Sequence, residues 1–120
     1  IIGIGTDIIE ISRILKTVEN KSFFKQNNTK SEQQLFHNCN YETLAGNFAA
    51  KEAVVKAMGT GFKVVTKEIE ILRHESGKPY VVLHNKTKEI FDSMNGGNIS
   101  ISISHSKENA VAFAVIEAKE

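Results

Sequence analysis

Two acidic side chains, one lysine and a glycine loop are the residues of this sequence best suited to chemistry. Asp7 follows a pair of glycines near the start of the chain, whereas Glu52 and Lys56 are spaced four apart in an alanine-rich stretch. At about 3.6 residues per turn, this spacing puts a carboxylate and an ammonium on one side of a helix that leads into Gly59-Thr60-Gly61. Carboxylates bind Mg²⁺, and a lysine beside loop amides binds phosphate oxygens. The residues therefore favour magnesium-assisted chemistry on a phosphate.

An exposed ion pair is the alternative interpretation of Glu52 and Lys56. Such a pair stabilises a helix by about 0.3–0.5 kcal/mol and needs no ligand. A helix kept for stability alone does not need two glycines around a threonine at its end, and this favours the phosphate interpretation. The helix C-terminus disfavours an anion, so Lys56 and the loop amides have to outweigh the helix dipole. The sequence contains no Walker motif.

Two further positions have both a structural and a functional interpretation. Asp7 could cap a helix that begins near Ile8, a role that is compatible with binding a ligand. His105 ends the alternating run of residues 99–105 in front of a polar turn, where a side chain can line a cleft. No zinc-type cluster of His and Cys and no motif for a covalent nucleophile accompanies them.

Composition limits the classes of protein to consider. A chain of 120 residues with 41% hydrophobic content and one proline predicts a single domain over residues 1–120. A formal net charge of +1 gives no general attraction to nucleic acid or membrane, so a local patch has to bind any acidic partner. The single cysteine, Cys39, cannot form an internal disulfide, and no apolar run approaches the ~18 residues of a membrane span. We therefore expect a cytoplasmic protein.

Hydrophobic periodicity predicts the α+β class, with a small, mostly antiparallel sheet packed on one long helix and several short helices. Gly3 and Gly5 share a face of the first strand with Asp7, which indicates that something approaches the strand backbone closely there. The last strand is apolar on both sides, as expected if subunits or a helix layer cover it. The predicted elements are strand 1–11, helix 8–18, helix 31–37 in a polar connection, a central helix ending at Met58, a hairpin of strands 67–74 and 80–84, helix 86–94, and strands 99–105 and 110–116.

Four short motifs follow one another along the chain: Gly3-Ile4-Gly5-Thr6-Asp7-Ile8 with Arg13, Phe48-Ala49-Ala50-Lys51-Glu52-Ala53 with Lys56-Ala57-Met58-Gly59-Thr60-Gly61, Gly77-Lys78-Pro79-Tyr80, and Ile101-Ser102-Ile103-Ser104-His105. Each motif alone is weak, but together they span most of the chain except residues 19–41 and 85–98. In this order and spacing, the motifs resemble those of the 4′-phosphopantetheinyl transferases of the small bacterial holo-acyl-carrier-protein synthase type.

The resemblance implies an enzyme that moves the phosphopantetheine arm of coenzyme A onto a serine of apo acyl carrier protein. The by-product would be adenosine 3′,5′-bisphosphate, and the pathway served would be fatty acid biosynthesis. Members of this family are homotrimers with an active site at each subunit interface. Charge on the phosphate oxygens would be neutralised by Mg²⁺ and a lysine, which is electrostatic catalysis.

Roles for individual residues follow from the resemblance alone. Asp7 and Glu52 would hold Mg²⁺ on the coenzyme A diphosphate and, with Lys56, carry the catalysis. The proton acceptor for the serine stays open between Glu52 and a water molecule. Arg13 would meet the acidic carrier protein. The coenzyme A site would be lined by Lys56, Gly59, Thr60, Gly61, Pro79 and, from a neighbouring subunit, His105.

The sequence departs from the family in two places and leaves two other classes of function open. Asn47 stands where relatives usually have an arginine, and the segment after Arg13 carries Lys16, Lys21 and Lys25 where relatives are richer in arginine. A magnesium-dependent nuclease or phosphoesterase would use the same carboxylates and lysine, but a polyanionic substrate favours a more basic surface. A non-catalytic trimeric binding module is the other alternative.

Overall fold

The chain wraps two small antiparallel sheets and several short helices around one long helix, as seen in a computed structural model that describes residues 1–19, 21–37, 41–60 and 64–120. No helix among these residues has the length and apolar character needed to span a membrane. In chain order the elements are β1 (Gly3–Glu10), α1 (Ile11–Glu19), α2 (Lys21–Asn27), α3 (Lys30–His37), α4 (Tyr41–Met58), a 3-10 turn (Thr66–Glu68), β2 (Ile69–Arg73), β3 (Pro79–Leu83), α5 (Asn85–Ser93), β4 (Gly96–His105) and β5 (Asn109–Ala118).

The larger sheet has the strand order β1-β5-β4, and both of its pairings are antiparallel. The hairpin β2-β3 forms a separate two-stranded sheet. Helix α4 lies on the inner face of the larger sheet and packs against all three of its strands. The α+β class, the antiparallel pairing and the single long helix predicted from the sequence are therefore confirmed.

Strand β1 lies directly against the backbone of helix α4. A Cβ atom on Gly3 would lie 2.0 Å from the carbonyl oxygen of Ala57, and one on Gly5 would lie 2.0 Å from that of Ala53. No side chain fits into this space, so the two glycines are required for the contact. The predicted close approach is confirmed, and the approaching backbone is that of α4.

The two faces of the larger sheet differ between its strands: β4 has one apolar and one polar face, whereas β1 and β5 are apolar on the outer face as well. The isoleucines of β4 pack inward and its serines are exposed, as their alternation predicts. The outer face of β1 and β5 is also apolar, because Ile4, Ile8 and Phe113 are 70%, 66% and 55% exposed. The core between α4, the sheet and the hairpin contains Ala49, Ala53, Val54, Ile69, Ile71, Ala112, Ala114 and Ile116.

Three local predictions are corrected by the structure. Helix α1 begins at Ile11 and not near Ile8, so the interpretation of Asp7 as a helix cap is wrong because Asp7 lies inside β1. Residues 21–27 form helix α2 where a loop was expected. Strand β4 begins at Gly96 and not at residue 99 as predicted, because the turn that ends α5 is made by Asn95, whose φ of 63° is left-handed.

Candidate active site

Asp7, Glu52 and Lys56 lie together where β1 meets helix α4. The ammonium Nζ of Lys56 donates to the Oδ1 atom of Asp7 at 3.0 Å and to the carbonyl oxygen of Thr6 at 3.1 Å. The Lys56 side chain is 55% exposed and that of Asp7 is 19% exposed. The ion pair of Lys56 thus joins two elements, whereas the alternative reading expected it to pair with Glu52 along the same helix.

The carboxyl group of Glu52 is half-buried beside this ion pair. Burial raises its pKa above the ordinary value, the negative charge of Asp7 raises it further, and the positive charge of Lys56 opposes the shift. Such a shift requires the two carboxyl groups to be within electrostatic reach of each other. The acidic side chains at positions 7 and 52 therefore lie within electrostatic reach of each other, and the metal site predicted there stays a prediction.

The donor set of this cluster fits a magnesium ion. Two carboxylates supply hard oxygen ligands, which Mg²⁺ prefers, and Mg²⁺ usually keeps several waters and takes phosphate oxygens from its substrate. Across the described ranges, no three His, Cys, Asp or Glu side chains form a group that could hold a metal by itself. A metal held by Asp7 and Glu52 would consequently depend on water and substrate oxygens for the rest of its coordination.

The glycine loop caps helix α4. Gly59 has a left-handed φ of 69°, and its N–H donates to the carbonyl oxygens of Val55 and Lys56, both at 3.2 Å. The hydroxyl of Thr60 is buried without a hydrogen-bond partner among the described residues. Gly61 lies outside those residues. The Gly59 amide is thus engaged at the helix end, and the phosphate contacts predicted for this loop stay predictions.

A shallow cavity of about 340 Å³ opens beside Lys56 on the outer face of the sheet. Its walls are apolar apart from the ammonium group of Lys56 and Thr6. The same face carries the exposed side chains of β1 and β5, so the charged cluster borders an uncovered apolar surface. The remaining lining residues are Ile4, Gly5 and Phe113.

Within one chain, His105 does not join the charged cluster. Its Nδ1 atom lies 4.0 Å from the Oε2 atom of Glu42, in the first turn of α4. At about 1.5 Å per residue, Glu42 is roughly 15 Å along the helix from Glu52. Pro79 begins β3, and Arg13 is exposed on α1. The roles predicted for these residues remain predictions.

Asn47, at the position where the resemblance leads us to expect an arginine, points into the protein. Its side chain is 4% exposed, and among the described residues its Oδ1 atom has no hydrogen-bond partner.

A second charged group in α4 was missed by the sequence reasoning. Lys51 is buried and pairs with Glu32 of α3 at 2.8 Å. The available signal was the helical period, because Lys51 lies three residues before Val54 and seven before Met58, on an apolar face. A lysine on such a face has to find an internal partner.

Comparison with known proteins gives consistent matches over nearly the whole chain. A sequence profile described as the 4′-phosphopantetheinyl transferase superfamily matches residues 3–114. The holo-[acyl-carrier-protein] synthase of Alkaliphilus oremlandii is 53% identical over 117 residues, which cover 94% of this chain and 96% of that relative. The crystal structure of holo-[acyl-carrier-protein] synthase from Neisseria meningitidis has a TM-score of 0.89 and 31% identity over 98% of both chains. The Helicobacter pylori synthase, solved in complex with coenzyme A, has a TM-score of 0.82 and 31% identity over 95% of this chain and 99% of that one.

Proposed function

Because the chain belongs to the 4′-phosphopantetheinyl transferase superfamily, we propose that it transfers the phosphopantetheine group of coenzyme A to a serine of apo acyl carrier protein in a magnesium-dependent reaction. The relatives are named for this activity, and one of them is solved with coenzyme A. The observation that carries the proposal is the convergence of Asp7, Glu52 and Lys56 at the contact of β1 with α4.

The chemistry requires a diphosphate to be held and its charge neutralised. The serine oxygen attacks the β-phosphorus of coenzyme A, the bond to the adenosine bisphosphate breaks, and the serine proton is transferred to a base. Asp7 and Glu52 would hold Mg²⁺, which when bound neutralises charge on the diphosphate oxygens. Lys56 supplies a second positive charge at the same place, and its exposed ammonium is free to turn from Asp7 to a phosphate oxygen.

Glu52 is a candidate for the proton acceptor, with a water molecule as the alternative. Burial and the charge of Asp7 raise its pKa toward the working pH, which suits a general base. A half-buried carboxylate next to a like charge also favours a bound cation, because the cation offsets the repulsion. Both properties arise from the same placement of Glu52 on α4 opposite Asp7.

The assembly proposed is a homotrimer with an active site at each subunit interface. The apolar outer face of β1 and β5 borders the cavity at Lys56, so a second subunit on this face would cover the site. His105 and Pro79 would then line the coenzyme A site across the interface, and Arg13 would contact the carrier protein. Light scattering that gives the mass of one chain under assay conditions would contradict the trimer.

The fatty acid pathway and a cytoplasmic location complete the proposal. Both rest on the family and its carrier substrate. The phosphate contacts expected of Lys56, Gly59, Thr60 and Gly61 are part of the same proposal.

The test is transfer itself, measured by intact mass. The protein is incubated with coenzyme A, Mg²⁺ and apo acyl carrier protein, and the carrier should gain the mass of one phosphopantetheine group. Chelation with EDTA should stop the reaction, and added Mg²⁺ should restore it. Cleavage of nucleic acid or of simple phosphoesters without transfer would replace the proposal with a hydrolase, and no reaction would replace it with a binding module.

A further inference from the structure

We propose that the buried ion pair of Lys51 and Glu32 is a positioning device for the transfer reaction, which fixes helix α4 at the rotation and depth where Glu52 and Lys56 meet Asp7. The inference rests on the proposed function, because it concerns how that site is held. The side-chain hydrogen bonds of Lys51 go to Glu32, Thr66 and Ile69 and to none of the three site residues among the residues that the structure describes. It acts through the helix that carries two of them.

Lys51 uses all three of its N–H donors inside the protein. Its Nζ atom donates to the Oε1 atom of Glu32 at 2.8 Å, to the carbonyl oxygen of Thr66 at 2.9 Å and to that of Ile69 at 2.8 Å. The side chain is 2% exposed. An ammonium group has three donors, so its hydrogen-bonding capacity is filled from three directions. Helix α4 is thereby tied to α3, to the 3-10 turn and to the start of β2.

Glu32 is held as firmly as its partner. Its Oε1 atom also accepts the backbone N–H of Thr29 at 2.9 Å, and its Oε2 atom accepts that of Ile71 at 2.9 Å. The Thr29 hydroxyl accepts the Glu32 backbone N–H at 3.1 Å, so these two residues form a capping box at the start of α3. The carboxylate cannot follow Lys51 if α4 moves, because α3 and β2 both fix it.

The ion pair lies next to the site along the helix but on a different face. Lys51 and Glu52 are consecutive, and consecutive residues of an α-helix point about 100° apart. The contact of Gly3 and Gly5 with the α4 backbone fixes the distance between α4 and β1. The three bonds of Lys51 fix the rotation of α4 from another side, and rotation decides whether Glu52 points toward Asp7.

An apolar contact would not hold the helix in the same way. Replacing a buried ion pair by well-packed apolar side chains is often neutral or stabilising, so stability alone does not account for a buried pair. Hydrogen bonds have preferred directions, whereas hydrophobic attraction is non-directional. The pair here bonds to backbone groups of the 3-10 turn, of β2 and of the residue that caps α3, which is suited to fixing a position.

The experiment compares turnover in the Lys51→Met and Glu32→Gln variants, at a temperature where circular dichroism shows each to be folded. We expect kcat and kcat/KM to fall together by about tenfold to hundredfold with the KM for coenzyme A nearly unchanged, because a displacement of about 1 Å can cost a hundredfold in rate. His84→Ala is the matched control: it removes the 2.9 Å contact of the His84 Nε2 atom with Glu70 and should keep wild-type kcat.

The double variant Lys51→Met with Glu32→Gln separates positioning from stability. It leaves no unpaired buried charge, so its urea midpoint should recover relative to Lys51→Met, while kcat should stay low because the bonds to Thr66 and Ile69 are absent. Recovery of kcat together with the midpoint would overturn the inference. So would wild-type kcat in the folded single variants. Absence of transfer by the wild-type protein would instead overturn the proposed function.

Discussion

Two lysines of helix α4, five positions apart, have opposite environments. Lys51 is 2% exposed and fills its three donors with internal acceptors, whereas Lys56 is 55% exposed and bonds to Asp7 and a backbone carbonyl at the surface. The carboxylates differ in the same way, because Glu32 accepts bonds from three groups and Glu52 lies beside a like charge. We call Lys51 with Glu32 the sealed pair, which is suited to holding structure. Asp7, Glu52 and Lys56 form the open cluster, which is suited to binding a ligand.

The two regions also differ in how far nearby opposite charges offset the electrostatic free energy of their charged groups. At the sealed pair, close partners offset the cost of burying charge, although burial still lowers the pKa of Lys51. At the open cluster, two carboxylates repel each other, and the ammonium of Lys56 compensates part of this repulsion. A carboxyl pKa raised by burial and by a neighbouring like charge is typical of a functional site.

The largest effect is expected from removing a charge of the open cluster. Asp7→Asn and Glu52→Gln should each lower the rate of transfer by about a thousandfold or more, because the charge on the diphosphate is no longer neutralised. Glu10→Gln, at the exposed end of the same strand, is the matched control and should keep the wild-type rate. Near-normal turnover in either cluster variant, measured by carrier mass, would remove the open cluster from the reaction.

The stability effect should be reversed between the two regions. Lys51→Met should lower the free energy of unfolding by about 3–5 kcal/mol, because it leaves the buried carboxylate of Glu32 unpaired. Lys56→Met should change the same quantity by less than about 1 kcal/mol, because the Lys56 side chain is 55% exposed and its ion pair is screened by solvent. Urea unfolding measures both. Equal losses would show that the two pairs do not differ in the way described.

A smaller effect concerns the pH dependence of stability without metal. The folded state binds a proton at Glu52 more tightly than the unfolded chain, because burial and Asp7 raise its pKa. The resulting stabilisation is present below the ordinary pKa of ~4.3 and is lost as the pH rises through the raised value. Glu52→Gln lacks this loss, so its stability relative to wild type should increase over that range. A difference that is independent of pH would contradict the assignment.

The smallest effect is a shift in one titration curve. Asp7→Asn removes the like charge that contributes to the raised pKa of Glu52, so that pKa should fall toward the ordinary value. Lys56→Met removes the opposing positive charge and should raise it. Carbon NMR of the Glu52 carboxyl group follows both changes. An unchanged pKa in both variants would place Glu52 out of reach of Asp7 and Lys56.

The sequence predicted the open cluster because its residues form short local patterns. The glycines beside Asp7 and the four-residue spacing of Glu52 and Lys56 are readable from the chain, and the structure brings the three residues together. The sealed pair was not predicted, because Glu32 and Lys51 meet only through the packing of α3 on β2 and α4. Tertiary packing of this kind leaves no fixed spacing to read.

The elements of the fold were predicted correctly where hydrophobic periodicity is strong, and their bounds were wrong where pairing with a distant strand decides them. The alternation in β4 and the glycine stop after Met58 were sufficient for those elements. The predicted start of α1 near Ile8 was wrong because β1 stays paired with β5 as far as Glu10, which lies opposite Asn109. Pairing with a distant strand therefore outweighed the local preference for a helix at Ile8.

The most direct test of the open cluster is to locate a cation in it. Crystals grown with coenzyme A and Mn²⁺ in place of Mg²⁺ would reveal the ion by its anomalous scattering. The account predicts an anomalous peak for an ion that is coordinated by carboxylate oxygens of both Asp7 and Glu52 and by the coenzyme A diphosphate, with ion–oxygen distances of roughly 2.0–2.3 Å. An ion bound to the diphosphate with neither carboxylate as a ligand would contradict it.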